Sequence, residues 1–484
     1  MQFIKSNLTY FFLSIVLIGS LVHSYIQYSK STIDGDVSRI VVSAPPYDKV
    51  LKDPLGLSAL KGEEYGATNR YTAHLIMSEY FLNIPLFLQN FVSPVQSVFL
   101  SIYLMKFLTH LLLLFLISYY VSAWNNFSWK SIIIAAVLIN PLFYTGSSSI
   151  KEYMAIIDPA ITYVMFYALP FCALLLFLLP FYKYLFTGKL SSSPLFIISW
   201  IVFAGFLVFF GPLTAPMLIV AITVIFGYIF IKGFLSDYKI NTAFNAVFKM
   251  RRSVLILFII TLLFSFYSMY IGTKNIENIY VEQVSLTERF IKLANGIVDA
   301  FLKPKSGLLF VVLLCIINLT VTYKYYKENY KNQLKITLLL IVFSVLYTLL
   351  LPLGGYRFYR PLIVRRDTLF PVLIIIYYIW GTTSIVLLKH LPKTKTTIFC
   401  ICATVLFVFF EVKNKKNASN ICQQESMIIL SESKSNVVKL ERNCILGLWS
   451  FNTEKEGSKD VAKLLKHWNI TPGREVLFYY DEEK

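Results

Sequence analysis

Apolar runs long enough to cross the ~30 Å hydrocarbon core of a bilayer recur along most of the chain. The first covers about Thr9 to Tyr28, and further runs lie near 96–121, 131–146, 160–186, 195–211, 214–232, 253–271, 306–323, 336–351, 368–388 and 397–411. This pattern predicts an all-α polytopic membrane protein with about eleven transmembrane helices. The stretch from Pro194 to Lys232 is too long for one helix and is interrupted by Gly211-Pro212 and Pro216. Proline removes a backbone donor and disfavours helix in the residue before it, so a tight hairpin is expected there. The first run follows Lys5 and exceeds a signal-peptide core. With no small-residue cleavage site after it, it reads as an uncleaved signal anchor with a cytoplasmic N-terminus.

Two segments break the rhythm of spans and short loops. Residues 29–95 form a long first outer loop, and residues 412–484 form a polar tail. The chain therefore divides into a transmembrane domain, 1–411, and a C-terminal extramembrane domain, 412–484. The first loop ends in Tyr71 to Phe91, where Leu75, Ile76, Phe81, Leu82, Ile84, Phe87 and Leu88 alternate with His74, Glu79, Asn83, Gln89 and Asn90. That spacing predicts an amphipathic helix in the membrane interface, bent near Pro85, or a plug packed on the bundle. The tail has apolar stretches at Met427–Leu430, Ile445–Phe451 and Val476–Tyr480 and a helical pattern near Lys459–Trp468, which suggests a small α/β unit. No catalytic spacing is visible in it. No period of 20–50 residues repeats, which argues against a solenoid and against the internal symmetry of many transporters.

Composition agrees with the pattern. Of 484 residues, 56% are hydrophobic and only 15% charged, against about 25% charged in a soluble domain. Soluble globular and disordered classes are excluded. The formal net charge of +18 does not indicate nucleic acid, because the basic residues punctuate the apolar runs instead of forming one soluble face. Loops assigned to the inside, such as Lys232 to Arg252 and Lys324 to Lys335, are richer in Lys and Arg than the outer loops after the first span. The bias predicts N-terminus in and C-terminus out. Cys172, Cys315, Cys400 and Cys402 fall in apolar runs without metal-binding spacing and read as inert thiols. Cys422 and Cys444 lie in the tail, where they could either pair, if the tail faces an oxidising compartment, or stay as free thiols.

Candidate chemistry sits in the outer loops. The first opens with Asp34-Gly35-Asp36, followed by Arg39, just beyond the first span. Acids held there lie at the depth of lipid head groups, and Gly35 lets the backbone turn so that Asp34 and Asp36 could converge on one ligand or metal. A solvated loop is the plain alternative. The loop continues through Pro45-Pro46-Tyr47, Asp53-Pro54-Leu55-Gly56 and Glu63-Glu64. The second outer loop carries Lys151-Glu152 and Asp158-Pro159, and Asp158 is expected to cap the helix that Pro159 begins. The late outer loop, Pro352 to Asp367, contains Tyr356, Arg357, Arg360, Arg365 and Arg366 but no lysine. Guanidinium is the planar bidentate donor suited to phosphate, and Tyr356, Phe358 and Tyr359 could anchor the loop or stack on sugars. A non-selective lipid-phosphate anchor is the alternative. Lys106 and His110 form an i,i+4 pair within the second span, where ionisable groups need a cavity or a partner.

These features resemble the GT-C superfamily of integral-membrane glycosyltransferases. The likeness lies in a signal-anchor first helix, an early acidic motif (Asp34-Gly35-Asp36) in a long first outer loop with interfacial helices, about eleven spans and a basic late outer loop. It implies inverting transfer from a polyprenyl-phosphate-linked sugar to a glycan, lipid or protein acceptor on the outer face. Asp34 or Asp36 would be the general base. Arg357, Arg360, Arg365 and Arg366 would contact phosphate, with Arg39, Lys106, Glu152 and Tyr356 as further substrate-binding residues. Some members use a divalent metal such as Mg or Mn and others none; here only Glu152 and Asp158 could join Asp36 as ligands. The Lys-, Ile- and Asn-rich composition suggests an AT-rich, bacterial genome, and with the resemblance it implies a bacterial inner membrane and cell-envelope polysaccharide assembly as the setting.

Competing readings are a non-enzymatic transporter of lipid-linked oligosaccharides and a polysaccharide polymerase or ligase. A transporter would line its bundle interior with charge, and a polymerase would place its long loop late in the chain. A structural membrane protein whose tail recruits partners is a further reading.

Overall fold

The computed structural model describes residues 2–123, 128–143, 153–154, 156–187, 189–190, 193–302, 307–358, 362–409 and 416–481. Glu152 and Arg360, both named above as substrate contacts, lie outside the described residues.

Among the described residues, eight helices are long and apolar enough to cross a membrane: Leu8–Tyr28, Pro94–Ala123, Ile161–Thr187, Thr214–Asp237, Arg252–Gly272, Gly307–Tyr326, Lys331–Gly354 and Phe370–Leu388. Each falls on a predicted apolar run. Trp129–Phe143 and Pro194–Val208 are shorter apolar helices, and Lys393–Phe409 is a helix of 17 residues. This is the architecture of a helical membrane protein. Large apolar side chains such as Phe11, Ile15, Ile18 and Val22 are exposed along the first helix, as expected of a surface solvated by lipid rather than water. Phe370–Leu388 has almost every side chain buried and is the central helix of the bundle.

The break at Gly211-Pro212 is where the sequence placed it, between Pro194–Val208 and Thr214–Asp237. A Cβ on Gly211 would lie 2.5 Å from the Phe166 carbonyl oxygen. Only glycine lets that turn press against the neighbouring helix.

Between the spans, the helices Ile240–Phe248 and Leu286–Leu302 went unread in the sequence, as did Lys416–Glu432 in the tail. The first two are amphipathic connections between spans. The Tyr71–Leu88 helix runs continuously through Pro85. It buries Ala73, His74, Met77, Ser78 and Phe81 at helical spacing, with the Ser78 hydroxyl donating to the Ile40 carbonyl at 3.0 Å and Tyr80 to Ser101 at 2.8 Å. One face of the helix is therefore packed on the bundle.

The tail forms a small α/β unit. Strands Val437–Leu440 and Leu477–Tyr480 pair in parallel, with Val437 opposite Leu477, alongside helices Lys416–Glu432 and Lys459–His467. Cys422 and Cys444 form a disulfide. The tail does not stand apart from the helical domain, because its buried side chains belong to the same apolar core. Trp468, 1% exposed, donates its indole N–H to the Phe81 carbonyl at 2.8 Å, and Gln89 donates to the Trp468 carbonyl at 2.7 Å.

Candidate functional site

The Asp34-Gly35-Asp36 motif follows the first helix directly and is held from two directions. Asp34 is buried. Its carboxylate accepts from the Thr162 hydroxyl at 2.7 Å and the Thr162 N–H at 3.0 Å, with the Asp36 N–H at 3.2 Å. Burial, then the neighbouring Asp36 charge, push the Asp34 carboxyl up to about 6 despite these donors. Asp36 is only partly buried and accepts from the Trp449 indole N–H at 2.8 Å.

The glycine between the two acids serves a different purpose from the one expected. A Cβ at Gly35 would lie 2.5 Å from the Trp449 backbone nitrogen and 2.6 Å from the Leu448 carbonyl carbon. Its φ is not in the left-handed region, so close approach of the tail, not a special turn, is what requires glycine here. The tail is further fixed by Gln423, which accepts from the Ile33 N–H at 2.9 Å and donates to the Ile33 carbonyl at 3.1 Å.

The segment from Asp158 to Thr162 gathers three of the predicted residues. Thr162 binds Asp34 as described. Lys106, fully buried, donates to the Pro159 carbonyl and, at 2.7 Å, to the Ser31 hydroxyl. Asp158 pairs with Arg366. The expectation that Asp158 caps a helix starting at Pro159 is corrected: its carboxylate accepts the Ala160 N–H at 2.8 Å, a local turn, and helix begins at Ile161. The helix then passes through a π-helical turn at Val164–Ala168, a feature that often marks functional sites.

A second convergence was not foreseen. Glu277, in a short 3₁₀ helix after the Arg252–Gly272 span, receives the Tyr47 hydroxyl and, at 2.6 Å, the Arg357 guanidinium; Arg70 lies 3.7 Å away. Tyr47 and Arg70 come from the first loop and Arg357 from the late loop, so Glu277 ties three loops together. Backbone bonds reinforce it: Ile276 N–H to the Tyr65 carbonyl at 3.1 Å and Glu282 N–H to the Tyr356 carbonyl at 3.0 Å. Arg70 and Arg357 outweigh burial and hold the Glu277 carboxyl down at about 2. Beside it, His74 sits 5.2 Å from the Tyr47 ring and 5.2 Å from Phe166. Burial, then the Arg70 charge, push its imidazole down to about 3, so it is neutral.

The two convergences adjoin. Thr162, on Asp34, and Asp158, on Arg366, belong to one short segment, and the late loop that carries Arg366 also carries Arg357, on Glu277 with Tyr47 and Arg70. The acidic motif and the described arginines therefore lie at the same end of the bundle.

Several predicted contacts are otherwise occupied. Arg365 pairs with Asp367 at 2.7 Å, so each described late-loop arginine carries an acidic partner. The Nε atoms of Arg70 and Arg366 are buried without a protein partner, donors that a guanidinium normally satisfies. Tyr356 is buried with the Lys292 ammonium 4.3 Å from its ring centre, so that face is taken by a cation and not open to a sugar. Arg39 points to the tail, 3.8 Å from Asp460. His110 is a satisfied interior histidine, bonded to Tyr28 and Asn140 at 2.6 Å each. Asp53, from the Asp-Pro-Leu-Gly stretch, is structural: it accepts the Leu57 and Ser58 N–H groups at 2.8 Å and the Tyr65 hydroxyl at 2.6 Å.

As a divalent-metal site the acids fit poorly. Asp34 accepts from Thr162, Asp36 accepts from Trp449 and Asp158 pairs with Arg366, so each acid already has a separate protein partner. Among the described residues no group of three or more His, Cys, Asp or Glu is placed to hold an ion.

Arg70, Thr162, Glu277 and Trp449 are residues that sequence reasoning missed. Glu277 is a single acid in an interhelical connection, and Trp449 lies in a tail without catalytic spacing. Comparison of the chain with protein-family models, curated proteins and solved structures returned no match.

Proposed function

We propose that this is a membrane glycosyltransferase that moves a sugar from a polyprenyl-phosphate-linked donor to a glycan, lipid or protein acceptor, with a first-loop aspartate as general base. One observation carries the reading: an acidic motif and a set of arginines, far apart in the chain, meet at one end of an apolar helical bundle. The Asp158–Tyr167 segment joins them, with Thr162 on Asp34 and Asp158 on Arg366.

The chemistry needs both parts. An acceptor hydroxyl is a poor nucleophile until a carboxylate takes its proton. The new bond forms between that oxygen and the anomeric carbon as the bond from carbon to phosphate oxygen breaks, inverting the centre. The electron pair leaves with the phosphate, where fixed cations stabilise it. Asp34, with its carboxyl near 6, suits a base at neutral pH, and Asp36 is the more open of the two. Arg70, Arg357, Arg365 and Arg366 are the phosphate-binding candidates, and Arg70 and Arg366 each keep an Nε donor without a protein partner. No step is routed through a metal.

In this reading the Trp129–Phe143, Pro194–Val208 and Lys393–Phe409 helices complete eleven spans. The tail then faces the outside of a bacterial inner membrane. The Cys422–Cys444 disulfide supports that side, since such bonds persist in oxidising compartments.

The test is transfer from synthetic polyprenyl-phosphate sugars by purified wild type, Asp34→Asn and Asp36→Asn. Loss in one variant identifies the base. Full activity in both would refute the assignment.

A further inference from the structure

Two of the described tryptophans, Trp380 and Trp468, are fully buried and structural. Trp449 is not: it is 56% exposed, although it belongs to a polar α/β unit and not to a lipid-facing helix. Its edge is fixed by the indole bond to Asp36 at 2.8 Å, and its backbone is pressed onto Gly35. The ring is therefore held in place while much of its surface stays open.

That ring continues into others. Tyr163 lies 6.4 Å away at an interplanar angle of 30°, and Tyr167 packs edge-on against Tyr163 at 5.7 Å. Tyr163 and Tyr167 are one turn apart across the π-helical turn. Tyr167 in turn feels the charges of Arg70, Arg365 and Asp367. An aromatic path thus leads from the tail, past the acidic motif, to the arginines.

We propose that Trp449 and Tyr163 form a saccharide subsite, in which a neutral sugar ring stacks its C–H face on the indole beside Asp36. Aromatic faces carry apolar area with a polar edge, which matches a pyranose with its apolar face and equatorial hydroxyls. Indole is fixed here before any ligand arrives, so little ordering is left to be done on binding. Naming this sugar as the acceptor rests on the transferase reading; the binding itself does not. The subsite gives the C-terminal tail a part in recognition, and it makes Gly35 the residue that brings tail and motif together.

The experiment uses the full-length protein in lipid nanodiscs, without donor, on an array of soluble neutral hexose and N-acetylhexosamine oligosaccharides. Wild type is expected to bind at least one of them. Trp449→Ala should weaken that binding about tenfold or more, and Trp449→Phe, which keeps a stacking face, should lose much less. Protease resistance of the tail, equal in all three proteins, shows that the unit remains docked; if Trp449→Ala undocks it, the Trp449→Phe and Tyr163→Ala comparison decides. No binding by wild type, or equal binding by the variants, overturns the proposal. Binding without transfer from any polyprenyl-phosphate sugar would end the transferase reading and leave the subsite standing. Transfer with unaltered acceptor dependence in Trp449→Ala would do the reverse.

Discussion

Replacing Glu277 by glutamine tests whether the loops are held together by charge. The side chain keeps its shape and loses its negative charge, while Arg70 and Arg357 remain beside it. In the folded protein the Glu277 carboxyl titrates at about 2, below its ordinary value of 4.5. Each pKa unit corresponds to about 1.4 kcal/mol, so the ionised form is favoured by roughly 3 kcal/mol in the folded state. Removing one partner from a mostly buried ion pair costs about the same. The sign of the pH dependence follows from the depressed value. The stabilisation is fully present above the ordinary carboxyl value and is lost as pH falls through the folded one. At neutral pH Glu277→Gln should therefore unfold at a clearly lower temperature than wild type in the same detergent. The gap should narrow as pH is lowered from about 4.5 toward 2. Thermal unfolding followed by circular dichroism, with wild type and variant paired at each pH, measures this difference directly. A variant as stable as wild type at pH 7, or a gap that does not change with pH, would show that Glu277 is not the ionic link between the first and late loops.

Asp34 should behave with the opposite sign. Its carboxyl is raised to about 6, so its contribution to stability is present below about 4 and is lost as pH rises through 6; the total is roughly 3 kcal/mol. The stability of wild type relative to Asp34→Asn should fall across that window, and a flat difference would remove the account of a buried, proton-holding acid. Gly35→Ala places a methyl group 2.5 Å from the Trp449 backbone nitrogen and should cost about 1–3 kcal/mol by displacing the tail, seen as faster proteolysis after Val412. Replacing Cys422 and Cys444 with serine opens a loop closed over 22 residues. It should loosen the tail by about 3 kcal/mol, read by limited proteolysis with the helical bundle intact.

The apolar helices were legible because their signal is local: a helix that crosses a bilayer writes its whole length as an unbroken apolar run, and every predicted run carries a helix, eight of them long enough to span. Gly211-Pro212 was legible for the same reason. The site was legible only by half. Asp34 and Asp36 stand out by their position after the first helix, and the late-loop arginines by their density, but what those side chains touch is set by partners with no nearby sequence signature. Thr162 lies 128 residues from Asp34 and Trp449 lies 413 from Asp36. Glu277, Arg70 and Arg357 come together from three loops whose hydrophobic patterns say nothing about charge pairing. The same physics corrects the reading of Gly35. A glycine between two acids suggests a turn, yet its φ is ordinary, and only the tail's backbone, brought back after more than four hundred residues, explains why no larger side chain fits. Amphipathic connections such as Leu286–Leu302 were missed because a search for unbroken apolar runs passes over a helix that carries one polar face. They matter to the site all the same: Gly296 of that helix has room for no Cβ against Val364, and this contact seats the late loop so that Arg365 and Arg366 follow directly from a fixed point.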